Sequence, residues 1–416
     1  MQICIFEDNK IDQFYPLTLS RPVYELVCGI NTLRDKIERH FPGEKISLHC
    51  RKYLEESVKN QNPKIEINKI SENECLFING RILFNKEILK LIKTTLSANK
   101  VLLSGNVIVA AKLFGKTLVD FKKKLPEKFT KNNFKGIPVQ KVDVKLTEYI
   151  WDLIKKNSDE LVNDSKYFVK KFKSSFMKTF PTGVHCVNRK GIFVNRGIKI
   201  KPGAVLDASK GPICIDKNVF IHPNVVIEGP VYIGESSIIK SGAILYDNVS
   251  IGRNCKVGGE VEDTIMLTYS NKQHAGFIGH AYLGSWVNLG ADTNCSDLKN
   301  NYGNIKVKVN GKLINTDTKF LGAIIGDHTK TAINTMLNTA TVIGFSCNIY
   351  GAGFPDKFIS SYTWGGSEIA KTYKLNKAEE TASIVYRRRN KSFSTIDKKL
   401  FEKIFNLTRK EREKYK

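Results

Sequence analysis

The chain has 416 residues, 41% of them hydrophobic, and a formal net charge of +25. That length allows two or three domains with real cores, and no apolar run approaches the roughly 20 residues that span a bilayer. The nine cysteines are scattered without a CxxC pair, which speaks against a thiolate metal site, a redox dithiol or a disulfide framework. The lysines are spread along the whole chain rather than gathered on one motif, so nucleic acid is not the expected partner; an anionic small substrate would feel the same field.

The opening MQICIFEDNK has no basic region followed by an apolar stretch, so no secretory signal and a cytoplasmic location are expected. MQICIF and CLFING are strand-like apolar runs. GINTLRDKIERHF and LTEYIWDLIKKNSDELVND have helical spacing. Strands alternating with helices predict an α/β domain over 1–165, followed by a connector over 166–182.

From Ile215 every sixth residue is aliphatic: Ile215, Ile221, Ile227, Ile233, Ile239, Leu245, Ile251 and Val257. A second register, Val219, Val225, Val231, Ser237, Ala243, Val249 and Cys255, is small or β-branched. A period of six fits neither a helix nor an ordinary strand alternation. It predicts a left-handed parallel β-helix of hexapeptide repeats over 183–365, with three hexads closing one triangular coil and the aliphatic position always inward. The register breaks over 293–320, where KVKVNGKLI reads as a hairpin turning at Asn310-Gly311. It resumes at Ile325, Thr331, Leu337, Ile343 and Ile349. Residues 376–389 and 396–414 have helical spacing, so the tail over 366–416 is expected to cap the end of the β-helix, with Arg387–Arg389 on a solvated face.

Two stretches carry a resemblance. FYPLTLSRPVYELVCGINTLRDKI resembles the start of sugar-1-phosphate nucleotidylyltransferases. YSNKQHAGFIGHAYLGSWVNLGADTNCSDLKNNYG, with KFLGAIIGDHTKTAINTMLNTATVIGFSCNIYGAGFPDKF, resembles the acetyltransferase half of GlmU. The order of the two halves is also the same, so the chain resembles the GlmU-like sugar nucleotidyltransferase family. The resemblance implies two reactions: NTP and a sugar 1-phosphate giving a nucleotide sugar such as UDP-N-acetylglucosamine, and acetyl-CoA-dependent N-acetylation of an amino-sugar phosphate. It also implies Mg2+ and a homotrimer with sites between neighbouring subunits, the excursion at 293–320 serving as an arm into that interface.

Carried over by position, the resemblance assigns His274 as the base that takes the amine proton. It assigns Asn301, Tyr302 and Lys319 to the sugar phosphate, with Asn271 and Lys272 as further candidates, and Ala332, Asn334, Thr335 and Gly351 to the CoA groove. In the first half FEDNKIDQF stands where the family has a Gly-rich phosphate loop, and Val23 replaces its lysine. Arg21 and Arg34 are the substitute cations for nucleotide, with Asn79 and Arg81 in INGR. Asp8 and Asp152 are the candidate metal carboxylates, a structural role standing open beside the functional one for both. His280 falls where the pattern has an acid and is expected at a corner or interface.

Other readings stand beside this one: a nucleotidyltransferase whose β-helix is only structural or regulatory, or a non-catalytic sugar- or nucleotide-binding protein. A zinc hydro-lyase using His222, His274 and His280 is disfavoured, because His222 lies almost three coils before His274.

Overall fold

The computed structural model describes residues 1–172 and 180–415. In the first part, strands β1 Gln2–Phe6, β2 Lys45–Leu48, β3 Glu66–Ile67, β4 Glu74–Asn79, β5 Lys100–Ser104, β6 Val107–Phe114 and β7 Val139–Lys141 form one seven-stranded sheet in the order 3-2-1-4-6-5-7. Strands β1 to β4 pair in parallel, and β6 runs antiparallel between β4 and β5. The continuous apolar runs noted in the sequence are β1 and β4, central strands buried on both faces, as a covered sheet requires. Helices α1 Leu33–Glu38, α2 Glu55–Gln61, α3 Lys86–Thr95, α4 Gly115–Lys122 and α5 Ile150–Phe172 surround it. Helix α1 begins at a capping box in which Thr32 and Asp35 each accept from the other's backbone. Helix α5 runs past residue 165 to Phe172, and residues 173–179 of the expected connector lie outside the described residues.

From His185 the chain winds into a β-helix of three parallel faces. The first face begins at His185–Val187, the second at Ile192–Val194 and the third at Lys199–Ile200; their sheets hold six, nine and ten strands. Each inward hexad residue from Ile215 to Val257 is fully buried, as is the second register, and together they fill the lumen. Most coils repeat every eighteen residues, as Ile213 beside Val231 and Val231 beside Val249 show. The coils then tighten: Lys256 pairs with Asn271 and Tyr282's predecessor on the second face is Ile265. The final edge is closed by Ala370–Thr372, which pairs antiparallel with Thr363–Gly365.

The two parts are docked together. On the second face the outward residues Ile265, Tyr282, Ile324 and Val342 are apolar, and they share one core with Ile11, Phe14, Leu17, Val23, Leu26 and the first turns of α5. Buried bonds fix the register of this contact. The Tyr282 hydroxyl accepts from the Val27 N–H at 2.8 Å and donates to the Val27 carbonyl at 2.9 Å. Ser250 Oγ donates to the Gly29 carbonyl at 2.8 Å, and Asn157 Nδ2 donates to the Asn248 carbonyl at 2.7 Å. Gly29 has φ +78°, and a Cβ there would lie 2.7 Å from Asp164, so only glycine fits.

The excursion forms the hairpin Lys306–Val309 and Lys312–Asn315, with Asn310 and Gly311 both at positive φ as its turn demands. It does not reach outward as an arm. Ile305 and Val307 are buried in the inter-domain core, and Lys155 Nζ bonds the Thr316 carbonyl at 2.7 Å, so it packs on its own α/β domain. The tail makes α6 Leu375–Arg387 and α7 Thr395–Leu407. It does more than cap the end: it turns back along the corner between the second and third faces, packs Phe401 and Ile404 against Phe345 and Tyr362, and reaches α2 through Lys399 and Glu56.

Asp164 holds α5 to α1. It is fully buried and binds Lys36 Nζ and Arg39 Nη1 at 2.6 Å each, while Lys36 is itself fully buried. Glu160 also reaches Lys36, at 2.5 Å, but removing Asp164 takes the carboxylate from Arg39 and the acceptor from the Ile30 and Asn31 N–H groups at once. Asp164→Ala is therefore expected to cost about 3–5 kcal/mol, read as a lowered unfolding midpoint in urea with unchanged slope.

Candidate functional site

The two histidines of the compressed coils lie at opposite ends of one strand, Phe277–Gly279. His274 is on the corner between the third and first faces, His280 on the corner between the first and second. They share no ligand position. His274 is exposed, and its imidazole has no hydrogen-bond partner among the described residues. Its corner is built by close backbone approach: Gly276, at φ +105°, would put a Cβ 2.3 Å from the Thr293 carbonyl. The next corners stack on it. The Asn334 N–H donates to the Ala291 carbonyl and the Ala332 N–H to the Ile349 carbonyl. His274 thus lies on one column with Ala332, Asn334, Thr335 and Gly351. Asn334 and Gly351 are exposed, whereas Thr335 is buried with its hydroxyl on the Ala332 carbonyl.

Lys272 departs from the sequence reading. It occupies an inward hexad position, and its ammonium bonds the carbonyls of Gly258 at 2.8 Å and His274 at 3.0 Å inside the coil. Burial lowers its pKa to about 8. It ties down the His274 corner and is not available to a substrate. Asn271 faces outward on the third face, where its Oδ1 accepts from Arg389 of the tail at 3.0 Å. One arginine of the run read as a solvated face is thus a tail contact.

Asn301, Tyr302 and Lys319 are exposed in the excursion, at the far end of the first face from His274. Phe320, next to Lys319, stacks on His280 at 5.0 Å. His280 is clamped there between carboxylates: Nδ1 lies 2.8 Å from Asp297 and Nε2 3.5 Å from Asp263. Burial opposes its protonation, but the bond to Asp297 and the charges of Asp263, Asp297 and Glu262 outweigh it and raise its pKa. Asp247, Glu262 and Asp263 form an acidic cluster beside it.

The α/β domain scatters the residues expected to serve one nucleotide. Asp8, Asn79 and Arg81 meet at the ends of β1 and β4 but satisfy one another. Arg81 Nε and Nη2 bind the two oxygens of Asp8 at 2.9 and 2.5 Å, and Asn79 Nδ2 adds a bond at 2.9 Å. All three are buried. Beside them Glu7 binds Arg51 at 3.0 Å, and Arg51 also bonds the carbonyls of Thr18 and Arg21. Arg34 is elsewhere, paired with Glu25 and Glu38. Arg21 leaves the domain to pair with Asp327 of the β-helix. Asp152 is a helix cap, accepting from the N–H groups of Glu148 and Tyr149 at 2.8 and 3.0 Å. The metal assignment of Asp8 and Asp152 is thereby corrected for this conformation: one carboxylate is neutralised by an arginine, the other is spent on a cap, and the set does not fit a divalent cation. Sequence reasoning had no way to see the Arg81 and Arg51 partners, since the pairs are 73 and 44 residues apart.

It also missed a set of rings on the corner between the second and third faces. Asn218, Ser236 and Asn254 hold its left-handed position in earlier coils; Tyr269, Trp286 and His328 hold it later, at φ +64°, +63° and +62°. Large side chains at a position that favours Asn or Gly were a signal present in the sequence.

The chain thus joins an α/β domain to a parallel β-helix, and each part is similar to a known family. Residues 3–173 match the family model described as sugar nucleotidyl transferase, and residues 215–246 match that of the bacterial transferase hexapeptide. Among curated relatives, a bifunctional sugar-1-phosphate nucleotidylyltransferase/acetyltransferase of Sulfurisphaera tokodaii is 29% identical over 36% of this chain and 43% of its own length, so the match spans less than half of that relative. A protein of Methanocaldococcus jannaschii named bifunctional protein GlmU is 25% identical over 70% of this chain and 74% of its own. Among solved structures, a UDP-N-acetylglucosamine acyltransferase of Campylobacter jejuni overlays at 14% identity, covering 52% of this chain and 82% of its own, with TM-score 0.28. No helix among the described residues is long and apolar enough to cross a membrane.

The raised pKa of His280 sets a pH dependence. Its protonated clamp stabilises the fold fully below about pH 6.5, the ordinary histidine value, and that contribution is lost as pH rises through the raised value. Thermal midpoints of the protein and of His280→Gln are expected to differ most in acid and to converge in alkali.

Proposed function

We propose that the chain is a nucleotide-sugar biosynthesis transferase with two activities. The β-helix transfers an acetyl group from acetyl-CoA to the amine of an amino-sugar phosphate. The α/β domain joins a sugar 1-phosphate to a nucleotide, with loss of pyrophosphate, giving a UDP-N-acetylglucosamine-type product. The observation that carries the first part is the exposed, unpartnered His274 on one corner column with Ala332, Asn334 and Gly351. As the sugar nitrogen attacks the thioester carbonyl, the imidazole takes its proton, the C–S bond breaks and CoA leaves as the thiol. The names of the relatives support both halves.

Asn301, Tyr302 and Lys319 bind the sugar phosphate in this reading. They lie across the first face from His274, and a site uniting them needs a second copy of the chain. Exposed Met336, Ile333 and Tyr302 on and around that face favour such contact, which supports a homotrimer. The second activity requires Arg81 to part from Asp8 so that it can meet a phosphate.

His274→Ala is expected to lower thiol release from acetyl-CoA with glucosamine 1-phosphate by about 10²–10⁴-fold. Pyrophosphate release from UTP and a sugar 1-phosphate should stay unchanged. Persisting thiol release in the variant would refute the assignment.

A further inference from the structure

A cleft of about 690 Å³ opens where three bodies meet: the α/β domain, the corner between the second and third faces, and the tail helices. It is neither of the sites described above. His274 lies on another corner, and Asp8, Asn79 and Arg81 are buried at the strand ends.

Its charges are unequal. The acids that line it are already held: Glu25 by Arg34, Asp327 by Arg21, and Asp397 by the capping box that starts α7. The cations Arg253 and Lys391 have no carboxylate partner among the described residues. Two unbalanced cations in a walled cleft favour an anion.

Its buried polar atoms are incomplete. His328 is nine-tenths and more buried, and its Nδ1 has no hydrogen-bond partner among the described residues; Arg21 Nε is buried without one there as well. Such groups are rare in a finished interior and mark a place where a ligand or water supplies the missing bond.

Its rings are ordered. Trp286 is sandwiched between Tyr269 at 4.2 Å and Tyr386 of α6 at 4.3 Å, and Lys391 stands 5.8 Å over the Tyr269 ring. Three consecutive coils hold a large side chain in the left-handed region here, a conformation kept where the surroundings or a function require it. The lining also includes the Asn60 amide and the Gln61 amide oxygen, which suit hydroxyl groups.

From these features we infer that the cleft binds a phosphorylated sugar, free or carried on a nucleotide, with the phosphate between Arg253 and Lys391 and the ring against the Tyr269–Trp286–Tyr386 stack. A ligand there touches both domains and the tail at once.

Trp286 reports on its own site. The chain has three tryptophans, so the signal is assigned by comparison with Trp286→Phe. The full-length protein is titrated with glucose 1-phosphate, UDP-glucose and inorganic phosphate while tryptophan emission is followed. The expected result is a saturable change with either sugar phosphate that is absent in Trp286→Phe. Arg253→Ala and Lys391→Ala, whose side chains hold no other charge, should each raise Kd about tenfold, the loss of one charge-assisted bond, with unchanged thermal midpoints. No change with either ester, an equal response to inorganic phosphate, or Kd values indifferent to Arg253→Ala and Lys391→Ala would overturn the inference.

Discussion

The outward side of the second face cannot be left in water. In a β-helix the inward residues fill the lumen and the outward ones normally meet solvent; here Ile265, Tyr282, Ile324 and Val342 point outward and are apolar. Each such side chain is worth about 1.5–3 kcal/mol when covered. The α/β domain is the cover. Its segment 11–33 and the start of α5 lie on that face, and the polar bonds of Tyr282, Ser250 and Asn157 set the register.

That docking has a chemical consequence. The segment after β1, where the family resemblance would place a phosphate-binding loop, contributes Ile11, Phe14, Leu17 and Val23 to the interface. With those side chains committed, the carboxylates at the strand ends meet arginines of their own chain. Asp8 takes Arg81 and Glu7 takes Arg51, each pair with further bonds that make its burial tolerable. The absence of glycine in FEDNKIDQF and this packing are two sides of one arrangement: a glycine loop leaves backbone N–H groups open to a phosphate, whereas these side chains fill the space.

Docking also divides the β-helix by corner. With the second face covered, the corner beside it borders both the α/β domain and the returning tail, and its aromatic column becomes the wall of a cleft. The corner bearing His274 stays open. The one bearing His280 carries the acidic clamp, and there the clustered carboxylates make a histidine the favourable neighbour, because a protonated imidazole relieves their repulsion. Burial lowers the pKa of His328 instead, since no acid contacts its ring. The same residue type therefore has opposite protonation behaviour at two corners of one coil stack.

The hexad period by itself determined the β-helix, its inward residues and the break at 293–320, because a repeat that buries one position in six is a local constraint written in consecutive residues. The α/β alternation was legible for the same reason, and so was the hairpin at Asn310-Gly311. What only the tertiary structure decided were contacts between residues far apart in the chain. Lys272 looked like a ligand beside His274, but the compressed coil turns it inward. Asp152, open in the sequence to a metal or a structural role, is a cap. Arg21 left the nucleotide set for Asp327, 306 residues away. The partners of a charged side chain depend on which surfaces are brought together, and spacing along the chain does not encode that; it is set by the apolar face that had to be covered.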